Sequence, residues 1–261
     1  MNVQEAADLL LEAEDQGHDC DPLTERWPNL DVKTAYEIQD ETMRRRVERG
    51  ERLIGVKLGL TSRAKQERMG ISTPLTAWLT DAMLLAPGAP VPLADLIHPR
   101  AEPEIVFQLG QELSGPGVTA ETAMAAVDTV YCGVELIDSR YRDFKFSLAD
   151  VVADNASSGR FVLGPVSSEP TSFNLASEAA QVFLDGSLVE TGTGAEVQGH
   201  PAEALALAAN DLAGRGWVLQ PGWLVLTGGM TDAVAIQQGS KLTVEFTNLG
   251  SISLNGDSGC Q

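Results

Sequence analysis

From Leu53 onward the chain breaks into short apolar runs separated by Gly and Pro, and this texture restricts the fold more than any other feature. "LIGVKLGL", "EIVFQLG", "TVYCGVELID", "RFVLGPV", "QVFLDGSLVET", "WLVLTGG" and "KLTVEFTNLGSISL" read as strands with turn signals between them. Residues 1–52 read as helix instead. An amphipathic run opens them, and Asp31 can cap a helix through "VKTAYEIQDETMRRRVERG", with Ala35, Ile38, Thr42 or Met43, and Val47 on one face and Gly50 as its stop. Arg44, Arg45 and Arg46 then form a solvated helix face. Two more helices are expected, in "TAETAMAAVDTV", where Met124, Val127 and Val130 fall near one face, and in "HPAEALALAANDLAGRG", opened by Pro201. The sum is an α+β chain: a helical N-terminal portion over 1–52, a mixed, barrel-like β-sheet domain over 53–255, and a disordered tail over 256–261 that includes Cys260.

Composition removes several classes of function. Lys plus Arg number 18 against 37 Asp plus Glu, a formal charge of -19 that repels phosphate backbones and argues against nucleic acid. No run approaches the roughly 18 apolar residues that span a bilayer. The three cysteines have no zinc-site spacing, and the first 20 residues lack the basic and apolar regions of a secretory signal, so the expectation is a cytoplasmic protein.

Within the strands the acids are the anomaly. "HPRAEPEIVFQLG" carries Glu102 and Glu104 straight into Ile105, Val106 and Phe107. On a strand the two carboxylates share one face, about 7 Å apart at the backbone. Each raises the other's pKa unless a positive group lies between them, and a divalent cation such as Mg²⁺ or Mn²⁺ suits oxygen ligands. The alternative is a polar strand face in water. Glu135, between Val134 and Leu136, is a third acid in an apolar strand, either completing a carboxylate set or pairing with nearby Arg140. Lys57 in "LIGVKLGL" either snorkels outward or sits in a pocket where it stabilises an anion. Between Asp154 and Gly159 a polar turn follows an apolar run from Val151; its Ser157 and Ser158 could hold a substrate oxygen or serve only the turn. Thr227, with Gly228 and Gly229, could present a hydroxyl and backbone N–H groups to a carboxylate.

Taken in order, "GVKLGLTSRAKQERMGISTP", "HPRAEPEIVFQL", "VELIDSRYRDFKFSLADVVADNASSGRFVLG", "GHPAEALALAANDLAGRG" and "VLTGGMTDAVAIQQGSKLTVEFTNLGSIS" resemble the hydratase/decarboxylase family of meta-cleavage pathways, within the fumarylacetoacetate hydrolase superfamily. The likeness runs from about Ala35 to Ser253. It implies an enzyme that uses Mg²⁺ or Mn²⁺ on unsaturated 2-oxo acids, with Glu102, Glu104 and Glu135 as metal ligands and Lys57 as the catalytic lysine. It also implies a homo-oligomer and a complex between decarboxylase and hydratase.

Leu75 separates the branches. The family's hydratases, acting on 2-hydroxypenta-2,4-dienoate, carry an aspartate at the matching place, whereas the decarboxylases, acting on 4-oxalocrotonate, carry an apolar residue. Leu75 therefore implies decarboxylation, with Ser157, Ser158 and Thr227 as further substrate contacts. Thr76 and Ala77 depart from the aromatic residue and glycine usual there, which bears on the pocket wall. The rival expectations are a hydratase, a non-catalytic partner subunit and an acylpyruvate hydrolase.

Overall fold

A computed structural model describes residues 1–256, apart from the side chain of Arg68. The expected tail lies outside the described residues except for Gly256, whose N–H donates to the Ser240 carbonyl at 2.9 Å. Three helices come first: α1 (Val3–Gln16), the single turn α2 (Leu23–Arg26) and α3 (Val32–Glu48). There follow β1 (Leu53–Gly59), α4 (Arg63–Met69), β2 (Leu75–Thr80), β3 (Arg100–Leu109), α5 (Ala120–Met124), β4 (Val127–Ile137) and α6 (Leu148–Ala153). The remainder is β5 (Ser158–Ser168), β6 (Ala179–Leu184), β7 (Ser187–Thr193), α7 (Pro201–Gly214), β8 (Leu224–Leu226), β9 (Val234–Ala235), β10 (Lys241–Phe246) and β11 (Gly250–Asn255).

Asp31 caps α3 as expected, its Oδ1 accepting from the Thr34 N–H at 2.7 Å. Ala35, Ile38, Thr42 and Met43 are buried, but Val47 is 45% exposed. Nine residues at about 100° each carry Val47 half a turn away from Ile38. The same geometry turns Arg46 inward, where it pairs with Glu14 of α1 and with Glu51 at 3.0 Å; the solvated face holds for Arg44 only. The helix expected across "TAETAMAAVDTV" stops at Met124, because Val127 and Val130 join β4 opposite Leu109 and Phe107. β-Branched residues with a long partner strand favour that outcome. Val151 lies in α6, started by a Ser147 capping box, rather than in a strand.

The strands form two sheets. One has seven strands in the order β2-β1-β8-β3-β4-β5, with β9 beside β3; the other has four, in the order β11-β10-β6-β7. Among the described residues neither sheet closes on itself, so the barrel-like arrangement is replaced by two open sheets. The larger is mixed, with β1 parallel to β8 and the other pairs antiparallel. One apolar core around Trp78, Phe107 and Phe161 lies against this sheet, and a second joins α1 and α3 to α6, Tyr141 and Leu75. The N-terminal helices thus back the wall that Leu75 belongs to.

Candidate active site

The register of β3 and β4 builds the site. It sets Glu102 directly opposite Glu135 and Glu104 opposite Gly133. Like charges placed opposite each other weaken an antiparallel pair, so the arrangement needs compensating charge. Oxygens from Glu102, Glu104 and Glu135 all lie within 4.8 Å of one another. All three side chains are buried, Glu104 completely.

Each acid has a separate partner. Lys57 Nζ donates to Glu135 Oε1 at 2.6 Å, and Lys65 Nζ donates to Glu102 Oε1 at 2.8 Å. The Gly228 N–H donates to Glu104 Oε2 at 2.7 Å. That leaves Glu104 Oε1 and Glu135 Oε2 buried without a hydrogen-bond partner. Two orphaned carboxylate oxygens facing a third acid are costly by themselves and form a hard, all-oxygen donor set. The residues therefore fit a divalent cation such as Mg²⁺ or Mn²⁺, held by Glu102, Glu104 and Glu135.

Burial, with Glu135 close by, holds the Glu104 carboxyl well above the ordinary carboxylate range. Burial also raises Glu135, although Lys57 pulls the other way. Burial disfavours the charge on Lys65, but Glu102, with Asp232 and Glu104 beyond it, outweighs this and raises its pKa. The sign for stability follows. A carboxyl raised on folding favours the metal-free fold below its unfolded pKa, and that contribution disappears as pH climbs through the raised value. A cation requires the ionised acids, so Mg²⁺ should increase the melting temperature more at pH 8 than at pH 5. Thermal shift titrations at the two pH values measure this.

The "TGG" run does receive a carboxylate on its backbone, but the carboxylate is Glu104's own. Gly228 has φ +117° and a Cβ there would lie 2.1 Å from Thr61 Oγ1, while one on Gly229 would lie 2.8 Å from Glu102 Cδ. Gly228→Ala should cost about 1–3 kcal/mol in stability and displace the N–H that anchors Glu104. Urea denaturation and a Mg²⁺ titration should both register the change.

Lys57 is 2% exposed, which rules out snorkelling, and its Nζ also donates to the Ala156 carbonyl at 2.9 Å. It lines a cavity of ≈ 760 Å³ together with Lys65 and Glu102. Leu58, Met69, Leu75, Ile137, Phe146 and Val151 form its apolar wall. Of the expected substrate contacts, Leu75 and Ser157 line this space. Ser158 and Thr227 do not: the Ser158 hydroxyl donates to the Asn155 carbonyl at 2.7 Å and the Thr227 hydroxyl to the Ile105 carbonyl at 2.8 Å. Short hydroxyl side chains at turns and strand ends readily satisfy local backbone in this way. Thr76 turns to Asp211 at 2.7 Å, and neither it nor Ala77 reaches the cavity lining.

Arg140 is committed to Asp154 rather than Glu135, and Asp138 accepts the N–H groups of Ile97 and His98 at 2.8 and 2.7 Å, pinning the entry to β3. Three cations of the cavity were missed in the sequence: Lys65, Arg100 and Lys145. Lys65 sits on α4, whose Ser62 cap and Gly70 stop were legible signals. Arg100 shares the face of Glu102 and Glu104 by strand alternation and stacks over Phe144 at 4.2 Å.

A family profile described as Fumarylacetoacetate (FAA) hydrolase C-terminal matches residues 52–255. The chain is 42% identical to a 4-oxalocrotonate decarboxylase of Pseudomonas putida over 247 residues, covering 95% of this chain and 94% of that protein. It is 39% identical to a 2-hydroxyhexa-2,4-dienoate hydratase of Comamonas testosteroni, covering 97% and 96%. Its fold superposes with a TM-score of 0.95 on the 4-oxalocrotonate decarboxylase from Pseudomonas putida G7 complexed with magnesium and adipate, at 39% identity and 97% coverage of each chain. The chain belongs to the fumarylacetoacetate hydrolase family.

Proposed function

We propose that this chain is a divalent-metal-dependent carboxy-lyase that converts 4-oxalocrotonate (2-oxohex-3-enedioate) to 2-hydroxypenta-2,4-dienoate and CO₂ in the catabolism of aromatic ring-cleavage products. The observation that carries the reading is the buried triad of Glu102, Glu104 and Glu135, with two unpartnered oxygens, beside Lys57 and facing an apolar wall that includes Leu75. The similarity to decarboxylases over nearly the whole length supports the same choice.

Glu102, Glu104 and Glu135 would hold Mg²⁺ or Mn²⁺, which would supply Lewis acidity toward the 2-oxo acid end of the substrate. Lys57 spends two of its three ammonium hydrogens on Glu135 and Ala156. The third is free for the C2 oxygen. As the C5–C6 bond breaks and CO₂ departs, its electron pair becomes the C4–C5 double bond. The former C3–C4 pair moves to C2–C3, and the charge gathers on the C2 oxygen, where Lys57 stabilises it and holds a proton. Leu75 and Val151 keep water and competing polar groups away from the distal end. Ser157 lines the cavity, but its hydroxyl donates to Asp154 Oδ2 at 3.3 Å and reaches a substrate carboxylate only by giving up that bond, whereas Ser158 and Thr227 support the backbone.

On this reading residues 53–255 carry the chemistry and 1–52 brace the cavity wall. Self-association suits β7, an edge strand that exposes Leu188 and Val189 at 51% and 42%. A complex with a homologous hydratase and a cytoplasmic location complete the proposal; Cys20 and Cys132 are both free thiols. No helix among the described residues is long and apolar enough to cross a membrane.

The test is to mix purified protein with 4-oxalocrotonate and Mg²⁺, follow CO₂ release, and repeat with EDTA. Chelation should abolish release. Turnover unaffected by EDTA would remove the metal, and hydration of 2-hydroxypenta-2,4-dienoate without CO₂ release would move the chain to the hydratase branch.

A further inference from the structure

Between α6 and β5 the backbone makes an unusual turn. Asn155, Ala156 and Ser157 have φ values of +49°, +50° and +57°, so three consecutive residues with side chains occupy the left-handed region. Residues other than glycine avoid that region because Cβ crowds the backbone, and an unbroken run of three persists only if its surroundings over-determine it. The turn belongs to the site, for the Ala156 carbonyl in its centre accepts from Lys57 Nζ at 2.9 Å.

The Asn155 side chain ties it to β2, beside local bonds from the Ser157 N–H to the Asp154 carbonyl at 2.9 Å and from the Ser158 hydroxyl to the Asn155 carbonyl at 2.7 Å. The amide is 4% exposed and spans the backbone of a single residue of β2: Oδ1 accepts from the Trp78 N–H at 2.8 Å and Nδ2 donates to the Trp78 carbonyl at 2.9 Å. Trp78 is adjacent to Ala77, the residue paired with Lys57 across β1 and β2. The turn and the lysine are thereby referenced to the same strand. Secondary ties fix the exit, where the Ser157 carbonyl accepts from the Asp138 N–H at 2.8 Å.

We propose that Asn155 is a positioning residue for catalysis: its amide locks the left-handed turn to β2 and so aims the Ala156 carbonyl at Lys57, leaving one ammonium hydrogen directed at the substrate. A carboxamide both donates and accepts at this spacing, whereas an ionised carboxylate only accepts. Asn155→Asp keeps the shape but sets an acceptor against the Trp78 carbonyl, so the turn relaxes toward negative φ and the Ala156 oxygen swings off the lysine. Glycine at 156 removes the drive to relax, because it occupies positive φ without strain.

The kinetic arm rests on the decarboxylase reading, and a structural arm does not. N155D should lower kcat about 10–100-fold, the penalty of a misplaced group, with KM and the Mg²⁺ Kd within about threefold of wild type. The double variant N155D/A156G should regain part of that kcat, and it serves in place of N155D if the single variant fails to fold. In a crystal structure of N155D the Ala156 oxygen should lie beyond hydrogen-bond reach of Lys57 Nζ. Persistence of that contact overturns the inference whatever the activity. So does a variant with lowered melting temperature but unchanged kcat, or a kcat loss that A156G does not relieve. If wild type releases no CO₂, the functional reading fails by itself, and the crystallographic comparison alone decides the role of Asn155.

Discussion

Glu104→Gln should abolish turnover while leaving the metal-free protein as stable as wild type or more so. Glu104 is fully buried, and burial together with Glu135 makes its charge unfavourable in the absence of a cation. Glutamine has the same shape. Its carbonyl can accept the Gly228 N–H that Glu104 Oε2 now takes at 2.7 Å. Its amide can donate to Glu135, close enough for a side-chain hydrogen bond between the two and presently with Oε2 unpartnered. One satisfied buried acceptor is worth about 1 kcal/mol, so urea denaturation in EDTA at pH 8 should show a gain of that order. The Mg²⁺ Kd should rise by more than about 100-fold, beyond the loss typical of an outer-shell partner. Opposite signs for stability and metal affinity distinguish a ligand from a structural acid. A variant that binds Mg²⁺ normally would remove Glu104 from the metal set.

The sequence showed the acids clearly and their partners poorly, for a physical reason. Glu102, Glu104 and Glu135 stand out because carboxylates that run into Ile105, Val106 and Phe107, or sit between Val134 and Leu136, contradict the local burial pattern. Lys57 stands out for the same reason. The residues that neutralise and aim them carry no such contradiction. Lys65 occurs on a seven-residue helix among other polar residues, and Asn155 occurs in a run of ordinary turn formers. Their roles exist only once register is fixed: β3 against β4 brings Glu102 to Glu135, and β1 against β2 sets Lys57 opposite Ala77, the neighbour of Trp78. Ser158 and Thr227 show the converse. Hydroxyls in suggestive positions were absorbed by nearby carbonyls, an outcome that composition cannot distinguish from substrate binding. The α+β class and the mixed sheet were legible, whereas the arrangement into two sheets was not, since strand number is legible locally and strand order is not.

Lys57→Met should combine the largest loss of stability with a large loss of rate, and a second substitution should separate the two. The lysine and Glu135 are each 2% exposed along their side chains and lie 2.6 Å apart. Removing the cation leaves a buried carboxylate with no countercharge, which typically costs about 3–5 kcal/mol. In metal-free protein the loss should appear as a lowered urea midpoint with an unchanged slope. Adding Glu135→Gln removes the stranded charge, so K57M/E135Q should recover much of that stability, giving a coupling energy well outside additivity. Activity should behave differently. On the proposed mechanism K57M forfeits the hydrogen that stabilises charge on the C2 oxygen, for a loss of about 10²–10³ in kcat. K57M/E135Q loses a metal ligand as well and should be no more active. Stability restored without activity means the ion pair maintains the fold for the sake of a free third ammonium hydrogen. If the double variant were as unstable as K57M, the cost would come from lost packing of the lysine stem, and Glu135 would be free of Lys57 in the metal-free protein.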